Sequence, residues 1–214
     1  MHARATVVVG DPEKVDDVVA LVRDSVLPRV TAQGGSLGLS MNVDRASGRC
    51  TVTSVWTDRA SMHASERALA PLREAAGRVA GGQPVTEEYE LAVLHRLRQA
   101  EPGCWVRSTR VRLDRQQLDA GIRTFRRQVL PAVERLPGFR SALLMVDRRS
   151  GNGVVSAVFD DEQSLNASRA MAGQVRDDAS AEASAQVVDV VESEIVLAAL
   201  RLPLQDATGT APVG

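Results

Sequence analysis

The feature that most constrains the fold of this chain is an internal sequence repeat. The stretch VDRASGRCTVTSVWTDRASM at 43–62 returns as VDRRSGNGVVSAVFDDEQSL at 146–165, 103 positions later. The same shift places Arg4 on Arg107 and Asp11 on Asp114. Two copies of one folding unit, each of roughly 100 residues, can each bury a modest core, so we expect a tandem repeat of two similar domains.

Composition shifts locate the expected domain boundaries. The first repeat covers 1–95, and the segment 96–104, which contains a Pro-Gly pair, is predicted to be a linker. The second repeat covers 105–202. Residues 203–214 are predicted to be a disordered tail, because the segment carries no periodic apolar pattern.

The first half of each copy is predicted to be a strand followed by a helix. Residues 4–9 are rich in β-branched side chains, and the following Asp11 and Pro12 are a typical helix start. Apolar residues then recur at steps of three and four, as in an amphipathic helix. Because proline lacks an N–H, Pro28 and Pro131 are expected to kink or end these helices.

The second half of each copy is predicted to be a hairpin, a helix and a last strand. In copy one these are 36–43 with 49–56, then 58–79, then 86–94. In copy two the helix covers 161–183, with Asp160 as its predicted N-cap, and the last strand covers 190–200. The order βαββαβ, present twice, is that of the ferredoxin-like unit.

A ferredoxin-like sheet has helices on one face and leaves the other face uncovered. A tandem repeat supplies a second sheet to cover it at high local concentration. The predicted fold class is therefore α+β, with two tandem ferredoxin-like repeats that form an intramolecular, pseudo-dimeric α+β barrel.

Composition argues against several classes of partner and cofactor. A net charge of -1 and 3% aromatic residues favour neither nucleic acid nor an anionic bilayer, and no apolar run approaches the roughly 20 residues of a membrane helix. Cys50 and Cys104 lie in no metal-like spacing, so we expect no metal site and a reducing, cytoplasmic compartment. No cofactor is indicated.

Three motifs together resemble the antibiotic biosynthesis monooxygenase superfamily of dimeric α+β barrels. They are the helix ending VLPAVERLPGF at 129–139, the VDRRSG hairpin, and strands that end in VWTD or VFDD before a helix. The chain is especially similar to uncharacterised tandem proteins of actinobacteria in that superfamily. The resemblance implies one of two reactions: cofactor-independent oxygenation of electron-rich polyphenols, or haem degradation.

The residues argue against the haem reaction. Haem-degrading members use an Asn on the first strand and a Trp and a His on the second helix. Here the first-strand positions are Val7–Val9 in copy one and Arg110–Arg112 in copy two, and the helix at 58–79 has one histidine and no tryptophan. We expect no haem degradation.

His63 and Trp56 are candidate ligand-binding residues, each with a structural alternative. His63 is able to act as a general base near neutral pH, but a single histidine in the first turns of a helix is more often a surface residue. Trp56 aligns with Phe159, which favours a repeated packing role over a repeated pocket wall.

Arg110 and Arg112 replace Val7 and Val9 of copy one, while the alternate positions keep their character. They are candidates for binding an anion inside or at the rim of the barrel, since a guanidinium suits a carboxylate or a phenolate. The alternative is a structural network with four glutamates of the last strands, Glu88, Glu90, Glu192 and Glu194.

Several functions remain open at this point. The first hypothesis is a cofactor-independent monooxygenase, or a binder of a small acidic aromatic ligand held by Arg110 and Arg112 beside Trp56. The alternative is a non-catalytic, stress-associated or structural barrel protein. Catalytic residues cannot be assigned, and a homodimer is compatible with the sequence.

Overall fold

The computed structural model describes residues 1–204, so most of the tail predicted at 203–214 lies outside the described residues. Each copy has the predicted order βαββαβ. The elements of copy one are β1 (His2–Val9), α1 (Val15–Leu21), α2 (Leu27–Thr31), β2 (Ser36–Asp44), β3 (Arg49–Trp56), α3 (Arg59–Ala64), α4 (Glu66–Ala80) and β4 (Val85–Arg96). Those of copy two are β5 (Trp105–Arg112), α5 (Leu118–Thr124), α6 (Leu130–Val133), β6 (Phe139–Asp147), β7 (Asn152–Phe159), α7 (Glu162–Ala167), α8 (Arg169–Ala183) and β8 (Gln186–Leu200).

The eight strands follow one another in the hydrogen-bonded order β1-β3-β2-β8-β5-β7-β6-β4 and close into a barrel. The fold class predicted from the repeat is therefore confirmed. The chain divides into two compact units: unit 1 contains Met1–Tyr89 with Ser193–Leu202, and unit 2 contains Glu90–Glu192.

The central hairpins of the two units have the same register. In unit 1, β1 pairs antiparallel with β3 from His2 opposite Trp56 to Val9 opposite Arg49. In unit 2, β5 pairs with β7 from Trp105 opposite Phe159 to Arg112 opposite Asn152. All four residues at the ends of the second pairing lie 103 positions after their counterparts, so the repeat is preserved at the level of single hydrogen-bonded pairs.

The last strand of each copy is longer than predicted and is divided between the units. β4 contributes Val85–Tyr89 to unit 1 and continues in unit 2, where it pairs with β6. β8 begins in unit 2 and ends in unit 1, where it pairs with β2 from Val43 opposite Glu194 to Gly38 opposite Leu200. Each unit thus completes its sheet with a segment encoded in the other copy.

The two prolines are accommodated by a wider helical turn. A π-helical segment, Val22–Val26, precedes Pro28, and a second, Phe125–Val129, precedes Pro131. A π-bulge shifts the hydrogen-bond ladder by one residue, so the helix continues past a residue that lacks an N–H. The predicted kink therefore takes the form of a π-helical turn, and α2 and α6 extend beyond it.

The second helix of each copy, predicted to be continuous, is interrupted at a buried serine. Ser65 separates α3 from α4, and its hydroxyl donates to the carbonyl of Met62 at 2.7 Å. Ser168 separates α7 from α8, and its hydroxyl donates to the carbonyl of Leu165 at 2.6 Å. Serine hydroxyls that bond back to a preceding carbonyl bend helices, which explains the break.

The prediction of Asp160 as an N-cap was wrong by one residue. Asp161 caps α7, and its carboxylate accepts from the N–H of Ser164 at 2.7 Å. The carboxylate of Asp160 instead accepts from Arg140 at 2.6 Å. The sequence pattern does not distinguish the two adjacent aspartates as N-caps. In the structure Asp160 pairs with Arg140, and Asp161 caps the helix.

Each unit has its own apolar core between helices and sheet. The core of unit 1 includes Val18, Leu39 and Trp56, and that of unit 2 includes Ile122, Leu144 and Phe159. Among residues 1–204, no helix is long and apolar enough to cross a membrane.

Gly38 provides a test of the β2–β8 pairing. It has φ of +97°, and a Cβ at this position would lie 1.9 Å from the carbonyl oxygen of Ala199 in β8. We expect Gly38→Ala to lower the free energy of unfolding by about 1–3 kcal/mol or more, through backbone strain and displacement of β8. Chemical denaturation measures the change.

Gly34 supplies the matched control, because nothing lies within 4 Å of the position its Cβ would take. Gly34→Ala should change stability by no more than about 0.5 kcal/mol. Equal stabilities of the two variants would contradict the close approach of β8 to β2.

Candidate functional site

A buried arginine on the first strand organises the polar contacts of unit 1. The side chain of Arg4 is 3% exposed and donates to Glu88 of β4 at 2.9 Å. It also contacts Ser65, at the helix break, at 3.3 Å and Glu66 at 3.1 Å. A buried guanidinium is costly unless carboxylates and hydrogen bonds compensate it, and these partners do so.

Unit 2 repeats this cluster with one charge reversed. Arg107, 8% exposed, donates to Glu192 of β8 at 2.7 Å and to the hydroxyl of Ser168 at 2.8 Å. Its guanidinium also lies 5.8 Å from the ring centroid of Phe159. At the position equivalent to Glu66, however, copy two has Arg169, which shares Glu192 with Arg107 at 3.0 Å. Two guanidinium groups therefore meet one carboxylate.

The acids of both clusters are stabilised in their ionised form. Burial alone would raise the pKa of Glu192, but hydrogen bonds from Arg169 and Arg107 outweigh it and hold the pKa below its usual range. For Glu88, burial again opposes ionisation, and hydrogen bonds from Arg4 and His63 lower the pKa. Both ion pairs therefore persist at neutral pH.

Each buried arginine lies at the wall of a cavity between its sheet and its helices. The unit 1 cavity has a volume of about 50 Å³ and is lined by Arg4, Thr6 and Val8 of β1 together with α1, α2 and α4. The unit 2 cavity has a volume of about 110 Å³ and is lined by Arg107, Thr109 and Val111 of β5 together with the equivalent helices. The repeat has therefore produced the same cavity twice.

The larger volume in unit 2 has a direct cause in the sequence. Five lining positions carry smaller residues in copy two, and these exchanges are Val18 to Gly121, Cys50 to Gly153, Ser54 to Ala157, Leu69 to Ala172 and Leu72 to Val175. Among the positions that line both cavities, one exchange, Val22 to Phe125, goes the other way and adds an aromatic ring to the wall.

The unit 2 cavity is chemically simple. Its walls are mostly apolar, and within the described chain its charged lining residues are Arg107 and Arg176. Arg176 is 31% exposed and its Nε donates to Asp177 at 3.0 Å. An apolar cavity with a few placed polar groups is the usual form of a small-molecule site. Residues 1–204 contain no group of three His, Cys, Asp or Glu side chains placed to hold a metal ion.

Arg110 and Arg112 lie on the other face of β5 from the cavity. Successive side chains of a strand point to opposite faces, and Arg107, Thr109 and Val111 are the ones that line the cavity. Arg110 is half-buried, and Arg112 is exposed and donates to Asn152 at 3.2 Å. These two arginines therefore do not share a space with the Arg107 cluster.

Trp56 and His63 both lie in unit 1 but have different surroundings. Trp56 is 0% exposed, belongs to the apolar core and donates its indole N–H to Ser54 at 3.1 Å. His63 lies on α3 with 48% of its side chain exposed, and its Nε2 is 2.8 Å from Glu88. His63 thus touches the buried arginine cluster through Glu88.

Sequence reasoning did not identify Arg4 and Arg107 as site residues. The sequence does contain a sign of their importance, because the two arginines occupy equivalent positions of the repeat while the residues around them differ. The glutamates that they bind lie 84 and 85 residues further along the chain, on β4 and β8.

Two mycobacterial relatives cover nearly the whole chain. The uncharacterised protein Rv2557 of Mycobacterium tuberculosis is 39% identical over 203 residues, which is 95% of this chain and 91% of the relative. The uncharacterised protein Rv2558 of the same organism is 38% identical over 204 residues, 95% of this chain and 86% of the relative. No family model matches the sequence.

Solved structures of low sequence identity share the fold. An anthrone oxidase-like protein aligns over 96% of both chains with a TM-score of 0.68 and 14% identity. A ferredoxin-fold protein of Listeria monocytogenes, described as related to antibiotic biosynthesis monooxygenases, aligns over 90% of this chain and 94% of its own with a TM-score of 0.50 and 10% identity. The chain therefore has the antibiotic biosynthesis monooxygenase-like fold.

The Glu192 cluster predicts a specific pH dependence of stability. Because the pKa of Glu192 is lower in the folded chain than in the unfolded chain, its contribution is present above the unfolded value of about 4.3 and is lost as pH falls through the folded value. Glu192→Gln should therefore lower the free energy of unfolding by about 1–3 kcal/mol at pH 7. The difference from the wild type should shrink below about pH 4.3.

Glu101→Gln is a suitable control, since Glu101 is 68% exposed and lies 3.7 Å from Arg140. It should have little effect on stability at either pH. A Glu192→Gln effect that stays constant from pH 7 to pH 3, measured by urea denaturation, would contradict the ion-pair assignment.

Proposed function

Because the chain belongs to the family of the mycobacterial proteins Rv2557 and Rv2558 and has the antibiotic biosynthesis monooxygenase-like fold, we propose that it binds a small acidic aromatic molecule in the unit 2 cavity. The observation that carries this proposal is the difference between two equivalent cavities. The unit 2 cavity has about twice the volume of the unit 1 cavity. Each wall carries two arginines, but the cluster beside the unit 2 cavity has Arg169 where that of unit 1 has Glu66.

The volume of the unit 2 cavity suits one aromatic ring. An engineered protein cavity of about 150 Å³ binds benzene, and about 110 Å³ is of the same order. Leu144, Val155 and the ring of Phe125 supply apolar walls for such a guest. Burial of a ring against these walls would supply most of the binding free energy.

The loss of side-chain volume in copy two supports a binding role over simple packing. Removing buried methyl groups without a guest leaves a cavity, and each such change lowers stability. Five of these changes converge on one cavity, while the same positions in copy one keep larger side chains. A guest that fills the space would offset the cost when it binds.

The sequence suggested a site at Arg110 and Arg112, inside or at the rim of the barrel, whereas the present proposal uses the cavity between the sheet and the helices of unit 2. Arg112 is exposed and bonded to Asn152, whereas Arg107 lines an apolar cavity of the right size. Arg110 and Arg112 then serve as matched controls, because copy one has valine at both positions.

A second candidate is oxygenation of the bound molecule, which the fold shared with the anthrone oxidase-like protein favours. In a cofactor-independent monooxygenation the substrate supplies all four electrons that reduce dioxygen, and one oxygen atom enters the product while the other leaves as water. The described cavity lining offers no carboxylate, histidine or thiol as a base, so the substrate would have to ionise beside Arg107 or Arg176. Oxygen uptake in an electrode chamber with a polyphenol tests this candidate.

Filling the unit 2 cavity should abolish binding. Ala172→Leu/Val175→Leu introduces the two residues that copy one has at these positions, and the added volume should exclude a ring. We expect affinity for small aromatic acids, measured by calorimetry, to fall at least tenfold while the thermal midpoint changes by only a few degrees.

Arg110→Val/Arg112→Val is the matched control for this experiment and should retain wild-type affinity. If this control loses binding while the filled variant binds normally, the ligand site lies on the other face of β5. Absence of binding to the wild type, across a panel of monocyclic aromatic compounds, would contradict the proposed function.

A further inference from the structure

The unit 1 cluster contains a carboxylate held between two arginines at the cavity wall. Glu66 lies 3.1 Å from Nη1 of Arg4 through one oxygen and contacts Nη2 of Arg73 through the other. Both arginines line the unit 1 cavity. Burial lowers the pKa of Arg73, and the charge of Glu66 acts against that effect. The carboxylate is thus the electrostatic partner that this pair of arginines requires.

In unit 2 the two arginines are kept and the carboxylate is lost. Arg107 and Arg176 stand at the positions of Arg4 and Arg73, and both line the unit 2 cavity. The residue at the position of Glu66 is Arg169, whose guanidinium turns to Glu192. A charge reversal at one position therefore removes a negative group and adds a positive one.

The exchange leaves hydrogen-bond donors at the wall of the unit 2 cavity. The Nε of Arg176 donates to Asp177 at 3.0 Å, and its Nη1 and Nη2 have no hydrogen-bond partner within residues 1–204. Nη1 of Arg107 donates to Ser168, whereas its counterpart in Arg4 contacts both Ser65 and Glu66. A guanidinium has five N–H donors. Arg107 uses four of them on Glu192, Ser168 and the carbonyl of Leu165, so one N–H of its Nη1 remains.

From this comparison we infer that the ligand of the unit 2 cavity carries a carboxylate that binds between Arg107 and Arg176, where Glu66 binds in unit 1. The inference rests on the proposed function and adds the chemical class of ligand, a monocyclic aromatic carboxylic acid. Its ring occupies the apolar part of the cavity. Its carboxylate lies beside Arg176, which is partly exposed, so the charged group keeps some contact with water.

A carboxylate fits the site better than a neutral polar group. Two guanidinium groups that share one carboxylate, as Arg107 and Arg169 share Glu192, leave an excess of positive charge that a neutral guest cannot compensate. Planar carboxylates also match the fork of a guanidinium group with two parallel hydrogen bonds. The protein's own Glu66 shows that this geometry is available in the equivalent place.

Two probes of the same shape test the inference. Phenylacetate carries the carboxylate, and 2-phenylacetamide replaces it with a neutral amide. We expect the wild type to bind phenylacetate at least tenfold more tightly than the amide at pH 7, measured by isothermal calorimetry. Toluene, the ring without the polar group, reports on the apolar cavity alone.

Two variants locate the carboxylate. Arg176→Gln should reduce the preference for phenylacetate over the amide to less than threefold. Arg169→Glu restores the residue of copy one, and its carboxylate should occupy the site and remove the preference in the same way. Arg112→Val, on the opposite face of β5, should keep the full preference.

The possible failures are distinguishable. Equal binding of phenylacetate and the amide to the wild type, with toluene also bound, overturns the carboxylate inference and leaves the proposed function standing. A preference that survives in both Arg176→Gln and Arg169→Glu overturns the assignment to this pair of arginines. If none of the three probes binds, the proposed function and the inference fail together.

Discussion

The buried arginine on the first strand of each copy is the interaction on which the rest of the structure depends. Arg4 joins β1 to the helix break at Ser65 and to Glu88 on β4, and Arg107 does the same in unit 2. A buried charge without partners would cost several kcal/mol, so the position of the last strand and the interruption of the second helix are set together. In each unit the apolar cavity is lined by this buried arginine.

Most of the fold can be predicted from the repeat, because each local pattern occurs in both copies and the two occurrences support each other. The strand order within each copy, the hairpins and the kinks at Pro28 and Pro131 all follow from local patterns that occur twice. The division of β4 and β8 between the units does not, because alternation along a strand says which residues share a face and not which strand pairs with it. The break at Ser65 comes from the hydrogen bond of its hydroxyl to the carbonyl of Met62, which the apolar periodicity of the helix does not reveal.

The candidate site shows the same limit. Alternation correctly separates Arg110 and Arg112 from Thr109 and Val111, but it cannot say which of the two faces borders a cavity. The cavity exists because residues on α5, α8, β5 and β7 are small together, and such a volume is a property of packing in three dimensions. Once the residues that line the cavity are known, a comparison of equivalent positions in the two copies shows the loss of side-chain volume in copy two.

Duplication has left one unit with an internal carboxylate and a small cavity, and the other with an additional arginine and a larger cavity. Glu66 and Arg169 occupy equivalent positions and mark this divergence. One unit thus keeps a self-contained ion-pair network, while the other retains arginine donors beside a volume that suits a guest. The proposed function follows this division, with the ligand in unit 2 and a structural ion-pair network in unit 1.

Methyl NMR of protein labelled at valine and leucine tests this division most directly, because both cavities are lined by such methyl groups. Titration with phenylacetate should shift the resonances of Val111, Leu144 and Val155 in unit 2 and leave those of Val8, Val26 and Val52 in unit 1 in place. Shifts confined to unit 1, or spread equally over both units, would contradict a binding site specific to unit 2.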